Sequence, residues 1–428
     1  MKRSFRVVLA ALLLLVLFLA AVLALQSWHE PGRDARAAAP MDRDTQLARG
    51  ARLARAGNCA ACHTARGGAA YAGGRAIPTP FGDIYASNIT PDEATGIGRW
   101  SAEDFWRALH NGKSKDGSFL YPAFPYPNFT KLSREDADAL YAYLKSVPAA
   151  HQANREHALR FPYSQRWLLA YWRALYFRPG VYQQQPGRDA QWNRGAYLVQ
   201  GIGHCGACHT GRSFLGGTAE HGDLAGGMIP MLNWYAPALT GDATGLGNWS
   251  TQDLTAQLKT GVSARGAVFG PMAEVVASSL QHLPQNDIEA MVVYLKSLPG
   301  DADAAPTPGS LPAGADTVLK AGAKLYENHC VACHGADGRG AAFAYPPLAG
   351  SLSLAPGSPV NAIRMVLNGG FAPSTAGNPR PYGMPPFSAA FSDEDVAAVV
   401  SYIRNSWGNH GGIVTPDDAG RWRGAPLE

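Results

Sequence analysis

All six cysteines of this 428-residue chain fall into three pairs of identical spacing, each closed by a histidine: Cys59-Ala60-Ala61-Cys62-His63, Cys205-Gly206-Ala207-Cys208-His209 and Cys330-Val331-Ala332-Cys333-His334. This is the attachment pattern of c-type haem. Two thiols three positions apart on one helical turn can add to the two vinyl groups of a haem, and the adjoining imidazole then sits under the iron as proximal ligand. The spacing therefore predicts three covalently bound haem c groups, with His63, His209 and His334 on the irons. A disulfide within each pair would explain neither the histidines nor the repetition. Zinc fits no better, since three half-sites do not pair into four-ligand sites. A chain built around three large flat cofactors needs short helices and long loops. The 48 glycines and 31 prolines suit that, and the charged fraction is 16%, against about 25% for a typical globular domain. A net charge of +4, evenly spread, excludes a nucleic-acid surface. Phosphate-cradling loops, dinucleotide fingerprints and metalloprotease helices are absent from the sequence.

The motifs sit in an internal repeat. Before them stand Arg49-Gly50-Ala51-Arg52-Leu53, Arg194-Gly195-Ala196-Tyr197-Leu198 and Ala321-Gly322-Ala323-Lys324-Leu325, each reading as a helix with a small residue at a crossing point. Well downstream come SREDADALYAYLKSVP (133–148), PQNDIEAMVVYLKSLP (284–299) and SDEDVAAVVSYIRNSW (392–407). Asp136, Asp287 and Asp395 suit the positive end of a helix dipole, and Ser133 and Ser392 are N-caps. Ala139, Ala290 and Ala398 stand four before Tyr143, Tyr294 and Tyr402, which gives each helix a face that is small and then aromatic. Two backbones can meet on such a face, and the tyrosines read as core.

Glycine-bearing first helix, haem motif, long loop, ligand segment and Tyr-bearing last helix are the cytochrome c order, so the chain resembles the cytochrome c fold three times over. Residues 44–410 carry the resemblance. Within them NITPDEATGIGRWS (88–101), its echo ALTGDATGLGNWS (238–250), LYPAFPY (120–126) and RNSWG (404–408) are similar to the membrane-bound triheme cytochrome c subunits of bacterial periplasmic dehydrogenases. That family serves alcohol, aldehyde, gluconate, sorbitol and fructose dehydrogenases, and molybdenum hydroxylases acting on aldehydes or nicotinate. The resemblance implies a mainly α protein of three consecutive haem domains. It further implies a periplasmic dehydrogenase catalytic subunit as electron donor and ubiquinone or another cytochrome as acceptor.

A methionine opposite the histidine raises a haem's potential and closes the iron to small ligands. In the third repeat Tyr382-Gly383-Met384-Pro385-Pro386-Phe387 matches the cytochrome c ligand loop, which implies Met384 as distal ligand and leaves Met365 to the core. In the second, Met272 of Gly270-Pro271-Met272-Ala273 stands ahead of the last helix, with Met228 and Met231 as alternatives. The first repeat has no methionine between Met41 and Met228. Phe124 occupies the place where family members with alcohol or sugar partners carry Met, and Phe cannot bind iron. Either this haem is five-coordinate, or His110, Lys113, His151 or His157 reaches it; His110, just before Asn111-Gly112, is the first of these to consider. Phe at this place is closer to the cytochromes that accompany molybdenum hydroxylases.

At the amino terminus Lys2, Arg3 and Arg6 precede an unbroken apolar run from Val7 to Leu25. Such a run is long enough to span a bilayer, and the charge ahead of it predicts a body exported to the periplasm. We read residues 1–26 as an inner-membrane anchor rather than a cleaved signal, 27–43 as a tether, 44–150 as the first haem domain and 151–190 as a linker with an aromatic helix at 167–177. The second domain spans 191–300, a linker 301–318 and the third domain 319–410, with 411–428 an irregular tail. The Pro, Ala and Gly-rich linker suggests a third domain less tightly attached than the others, but haems that exchange electrons cannot wander far apart, so the linker is expected to wrap along the surface. Two functions fit these features: a conduit relaying electrons from a catalytic partner, or a haem enzyme using an open first haem in a peroxidase-like reaction or to reduce a small ligand. No acid–base group stands at a recognisable position near Phe124, which favours the conduit.

Overall fold

The computed structural model describes residues 2–28, 30, 41–218, 223–242, 245–300, 311–354 and 358–425. Helix α1 (Lys2–Trp28) leads into the first repeat, which contains α2 (Arg43–Ala56), α3 (Cys59–His63), α4 (Ala102–Asn111), α5 (Tyr126–Phe129) and α6 (Arg134–Ser146). Helix α7 (Leu169–Tyr176) joins it to the second repeat, formed by α8 (Ala190–Tyr197), α9 (Gly206–His209), α10 (Thr251–Thr260), α11 (Pro271–Ser278) and α12 (Gln285–Lys296). The third contains α13 (Ala315–His329), α14 (Val331–His334), α15 (Val360–Asn368), α16 (Asp393–Arg404) and α17 (Pro416–Arg423). The strands are short antiparallel hairpins: β1 (Ala76–Thr79) with β2 (Gly82–Tyr85), β3 (Ala158–Leu159) on the far side of β2, β4 (Gly227–Ile229) with β5 (Trp234–Ala236), β6 (Val262–Ser263) with β7 (Gly266–Ala267), and β8 (Gly370–Phe371) with β9 (Gly383–Met384).

Each repeat is closed by a pair of helices, α2 with α6, α8 with α12 and α13 with α16, which cross at the glycine read from the sequence. A Cβ on Gly50 would lie 2.1 Å from the carbonyl oxygen of Ala139, one on Gly195 1.9 Å from that of Ala290, and one on Gly322 2.1 Å from that of Ala398. Only a residue without a side chain permits that approach. Beside the crossing, Arg49 pairs with Glu135 and Asp136, both at 2.6 Å, and Arg194 with Asp287 at 2.8 Å.

The first two repeats share one hydrophobic core and cover each other reciprocally. From the second, Ser278 Oγ on α11 donates to Asn58 Oδ1 at 2.9 Å, just before Cys59. From the first, Asn128 Nδ2 on α5 donates to the Gln200 carbonyl at 3.0 Å, and the Phe129 ring lies 5.5 Å from that of His204, just before Cys205. The segment read as a linker is stitched to the first repeat, since β3 extends the β1–β2 sheet and Asn154 Oδ1 accepts from the Asn88 amide at 2.7 Å.

The third repeat has its own core, yet it does not hang loosely as its linker suggests. Asn361 Oδ1 accepts from the Tyr235 amide at 2.9 Å, and its Nδ2 donates to the Tyr235 carbonyl at 2.8 Å. The buried guanidinium of Arg364 stands 4.5 Å over the Trp234 ring, and Thr375 Oγ1 donates to the Thr260 carbonyl at 2.9 Å. Residues 301–310 of the linker lie outside the described residues. Helix α13 opens at Ala315, inside the span assigned to the linker. The tail differs from expectation too: α17 forms within 411–428. Thr415 and Asp418 make a capping box with Pro416 in the first turn, Ala419 is fully buried, and Arg423 reaches Asp393 at 2.7 Å. A cap, a buried small residue and an ion pair outweigh the low apolar content of this segment.

Candidate haem centres

In every repeat the motif histidine presents the same geometry. His63 Nδ1 lies 2.7 Å from the Ser87 carbonyl, His209 Nδ1 2.7 Å from that of Pro237, and His334 Nδ1 3.0 Å from that of Pro346. A carbonyl only accepts, so Nδ1 carries the proton and Nε2 keeps a free lone pair. Burial holds the pKa of all three imidazoles below the ordinary value, which keeps that lone pair unprotonated. A neutral imidazole, fixed in one tautomer by a backbone acceptor, is the arrangement metal-ligating histidines adopt. The acceptors were not foreseen from the sequence, because any residue type supplies a carbonyl. Their one signal is position: each directly precedes the loops beginning Asn88, Ala238 and Pro347.

All six cysteines are free thiols. Burial pushes Cys59 and Cys205 up to about 12 and Cys330 to about 11. Burial also raises Cys208; the Arg212 guanidinium opposes the rise, and Cys62 of the first repeat adds to it. Just ahead of the first motif, a Cβ on Gly57 would lie 2.9 Å from Cδ1 of Ile202, so the segments leading into the first two motifs meet at the shared interface. Among the described residues no group of three or more His, Cys, Asp or Glu side chains forms a separate metal cluster.

The third site is a cavity bordered by Cys330, Cys333 and His334 on one side and by Met384 on the other. Strand β9 carries Met384 and pairs with β8. Gly369, at φ +63°, lets the two strands approach, since a Cβ there would lie 2.2 Å from the Met384 carbonyl oxygen. Met365, assigned to the core from sequence, lines the same cavity, because α15 turns that residue inward at its last turn. Val262 and Phe269 of the second repeat complete the wall. In the second repeat Met272 opens α11 and packs on the core. Met228 and Met231 are 39% and 50% exposed and lie in or beside the β4–β5 hairpin that leads to the His209 acceptor, Pro237.

At the first site the Phe124 ring packs against Phe129 at 5.4 Å and Tyr126 at 6.4 Å. Each of the four nitrogen candidates has polar neighbours of its own. His110 is buried, stacked on Trp106 at 4.5 Å, with Nδ1 3.0 Å from the Thr130 carbonyl. Lys113 Nζ donates to the Ser27 carbonyl at 2.7 Å and pairs with Glu30 at 3.1 Å. His151 faces solvent near Asp92, 3.5 Å away, and His157 Nδ1 accepts from the Tyr85 amide at 3.2 Å. A further histidine, His204, touches this aromatic group through Phe129, and its buried Nδ1 has no hydrogen-bond partner among the described residues. Sequence reasoning passed over it.

Comparison with known proteins agrees with this geometry. A cytochrome c family model matches residues 47–148 and 319–407. The chain is 41% identical over 404 residues to the cytochrome c subunit of a quinone-dependent alcohol dehydrogenase from Gluconacetobacter polyoxogenes, covering 90% of this chain and 86% of the relative. It is 43% identical over 390 residues to the gluconate 2-dehydrogenase cytochrome c subunit of Pantoea cypripedii, covering 86% of each. A nicotinate dehydrogenase subunit from Pseudomonas putida is 43% identical over 366 residues, which are 84% of this chain and 30% of that longer protein. A match over 90% of the chain necessarily runs into the middle repeat, which the family model leaves out.

Proposed function

The chain belongs to the family of cytochrome c subunits of dehydrogenase complexes, and from that membership we propose that it holds three haem c groups and relays single electrons from a periplasmic dehydrogenase catalytic subunit to ubiquinone or another cytochrome. The observation that carries this reading is the recurrence, under all three motifs, of a partly buried histidine fixed through Nδ1 to a backbone carbonyl. Haem c, when bound, supplies a one-electron iron couple. The residues hold it in place: Cys59 with Cys62, Cys205 with Cys208 and Cys330 with Cys333 as thioether anchors, and His63, His209 and His334 as proximal ligands. Met384 and Met272 would supply sulfur ligands at the third and second sites, and Phe124 would supply none at the first.

Contact between sites favours relay, because electron exchange falls steeply with distance. The segments leading into the first two motifs touch, and the second repeat walls the third site. Helix α1 is the one helix among the described residues long and apolar enough to cross a membrane, and we assign it as the anchor that keeps the chain at the inner membrane. The partner is a quinoprotein or flavoprotein dehydrogenase, or a molybdenum hydroxylase acting on aldehydes or N-heterocycles. Pyridine haemochrome and intact-mass measurement should give three haems per chain, and two would overturn the reading. Redox titration should resolve one component at lower potential than the others, assigned to the first site; three equivalent methionine-coordinated low-spin haems would overturn that assignment. Copurification then identifies the donor.

A further inference from the structure

Between His157 and Arg188 the sequence has five arginines and no acidic residue. Much of this stretch lies on the outside of the fold around α7, with Phe161 83%, Trp167 49% and Leu175 58% exposed. Phe214, 90% exposed, borders the same cleft as Phe161, Tyr163 and Arg160. Trp172 Nε1 donates to the Leu215 carbonyl at 3.0 Å and ties that loop to α7. The Trp167 ring meets Tyr171 edge-on at 6.2 Å, so exposed apolar side chains of the cleft and of α7 stand on neighbouring, tied elements, and a cluster of this kind marks an interaction surface where single scattered residues do not.

The position of α7 against α1 says what covers it. Tyr171 OH donates to the Leu19 carbonyl at 3.2 Å, and Leu23 packs against the cluster that includes Leu169 and Ala170. About 20 residues fill the hydrocarbon core of a bilayer, so a span opening at Val7 closes near Gln26. Leu19 is seven residues short of that end, roughly 10 Å beneath it at 1.5 Å per residue. Interfacial helices bury their apolar faces about 5–10 Å into the boundary between headgroups and acyl chains, and α7 meets α1 at that depth. The chemistry agrees, since tryptophan and tyrosine favour the interface and arginine reaches from it to anionic headgroups. Arg160 and Arg178 are exposed, and their hydrogen bonds go to backbone carbonyls of Pro80, Ala174 and Phe177, leaving the charge for lipid.

We propose that the face formed by α7, Phe161 and Phe214 is a second membrane contact, seating the junction of the first two repeats in the leaflet from which α1 emerges. The proposal rests on the reading of α1 as a spanning helix. It is tested on the full haem-loaded chain in vesicles of phosphatidylethanolamine and phosphatidylglycerol, with a nitroxide label on one introduced cysteine: Phe161→Cys, Phe214→Cys, Leu12→Cys within α1, or Lys320→Cys on the exposed side of α13. The native thiols are then held by haem, and the four positions are exposed, so the label leaves the cores intact. Labels at 161 and 214 should be relaxed by oxygen as at 12 and be severalfold less accessible to a water-soluble nickel chelate than the label at 320. Lipid surroundings at 12 with nickel access at 161 and 214 matching that at 320 would overturn the second contact alone. Nickel access at 12 would overturn the spanning helix and the proposal with it.

Discussion

Under each motif one hydrogen bond fixes a tautomer, and the pattern Cys-x-x-Cys-His cannot express it, because the acceptor is a carbonyl some 12 to 28 residues downstream. The Cys-x-x-Cys-His pattern itself can be read along the chain, since the porphyrin that we propose it holds would dictate its spacing. The distal side is less legible, since a sulfur ligand is a matter of where a loop points; Met365 faces the third cavity with Met384 for that reason. Met384→Ala should remove the third haem's share of the methionine-to-iron charge-transfer band and lower one potential by on the order of 0.1 V, a fraction of the roughly 0.8 V range that axial ligands command. An unchanged band would move the ligand to Met365. Phe124→Met should raise the potential of the low component in a titration. Gly322→Ala places a Cβ about 2 Å from the Ala398 carbonyl oxygen and should cost about 3 kcal/mol, the upper end for overpacking, read by denaturant unfolding.

Helix ends carry a large part of what could be read along the chain. Ser133, Ser250 and Ser392 each accept from the amide three residues on, which is the serine-then-carboxylate pattern of an N-terminus. Ser392→Ala should cost about 1 kcal/mol, measured as a lower unfolding midpoint. The same pattern at Thr415 and Asp418 was present in the tail but stood in a segment of low apolar content, so α17 went unread. Its packing is tertiary, through Ala419 and the Arg423 pair with Asp393. The hydrogen bond from Thr415 is the largest influence holding the Asp418 carboxyl below its ordinary value of 3.8. A lowered folded pKa adds stability that is full above the unfolded pKa and lost as pH falls through the folded one. Acid titration of unfolding should show that loss in the native chain, and Asp418→Asn should remove this component of the slope.

Over the whole molecule, the number of repeats was legible and their docking was not, because contacts between repeats use residues with no common pattern: a backbone-bridging Asn361, a guanidinium over Trp234 and a threonine pair. The linker composition pointed to loose attachment, but composition speaks only of the connecting chain and not of the surfaces it brings together. Asn361→Ala removes two hydrogen bonds, each worth about 1 kcal/mol. It should raise amide exchange along β5 and α15 while leaving the haem content unchanged.

The reciprocal cover between the first two repeats also bears on manufacture. Asn58 and His204, each the residue before a first cysteine, touch the neighbouring repeat. If both motifs carry haem, as we propose, closing of the two halves narrows the approach to Cys59 and Cys205, which are partly buried. Attachment before the halves close then meets less obstruction than attachment afterwards.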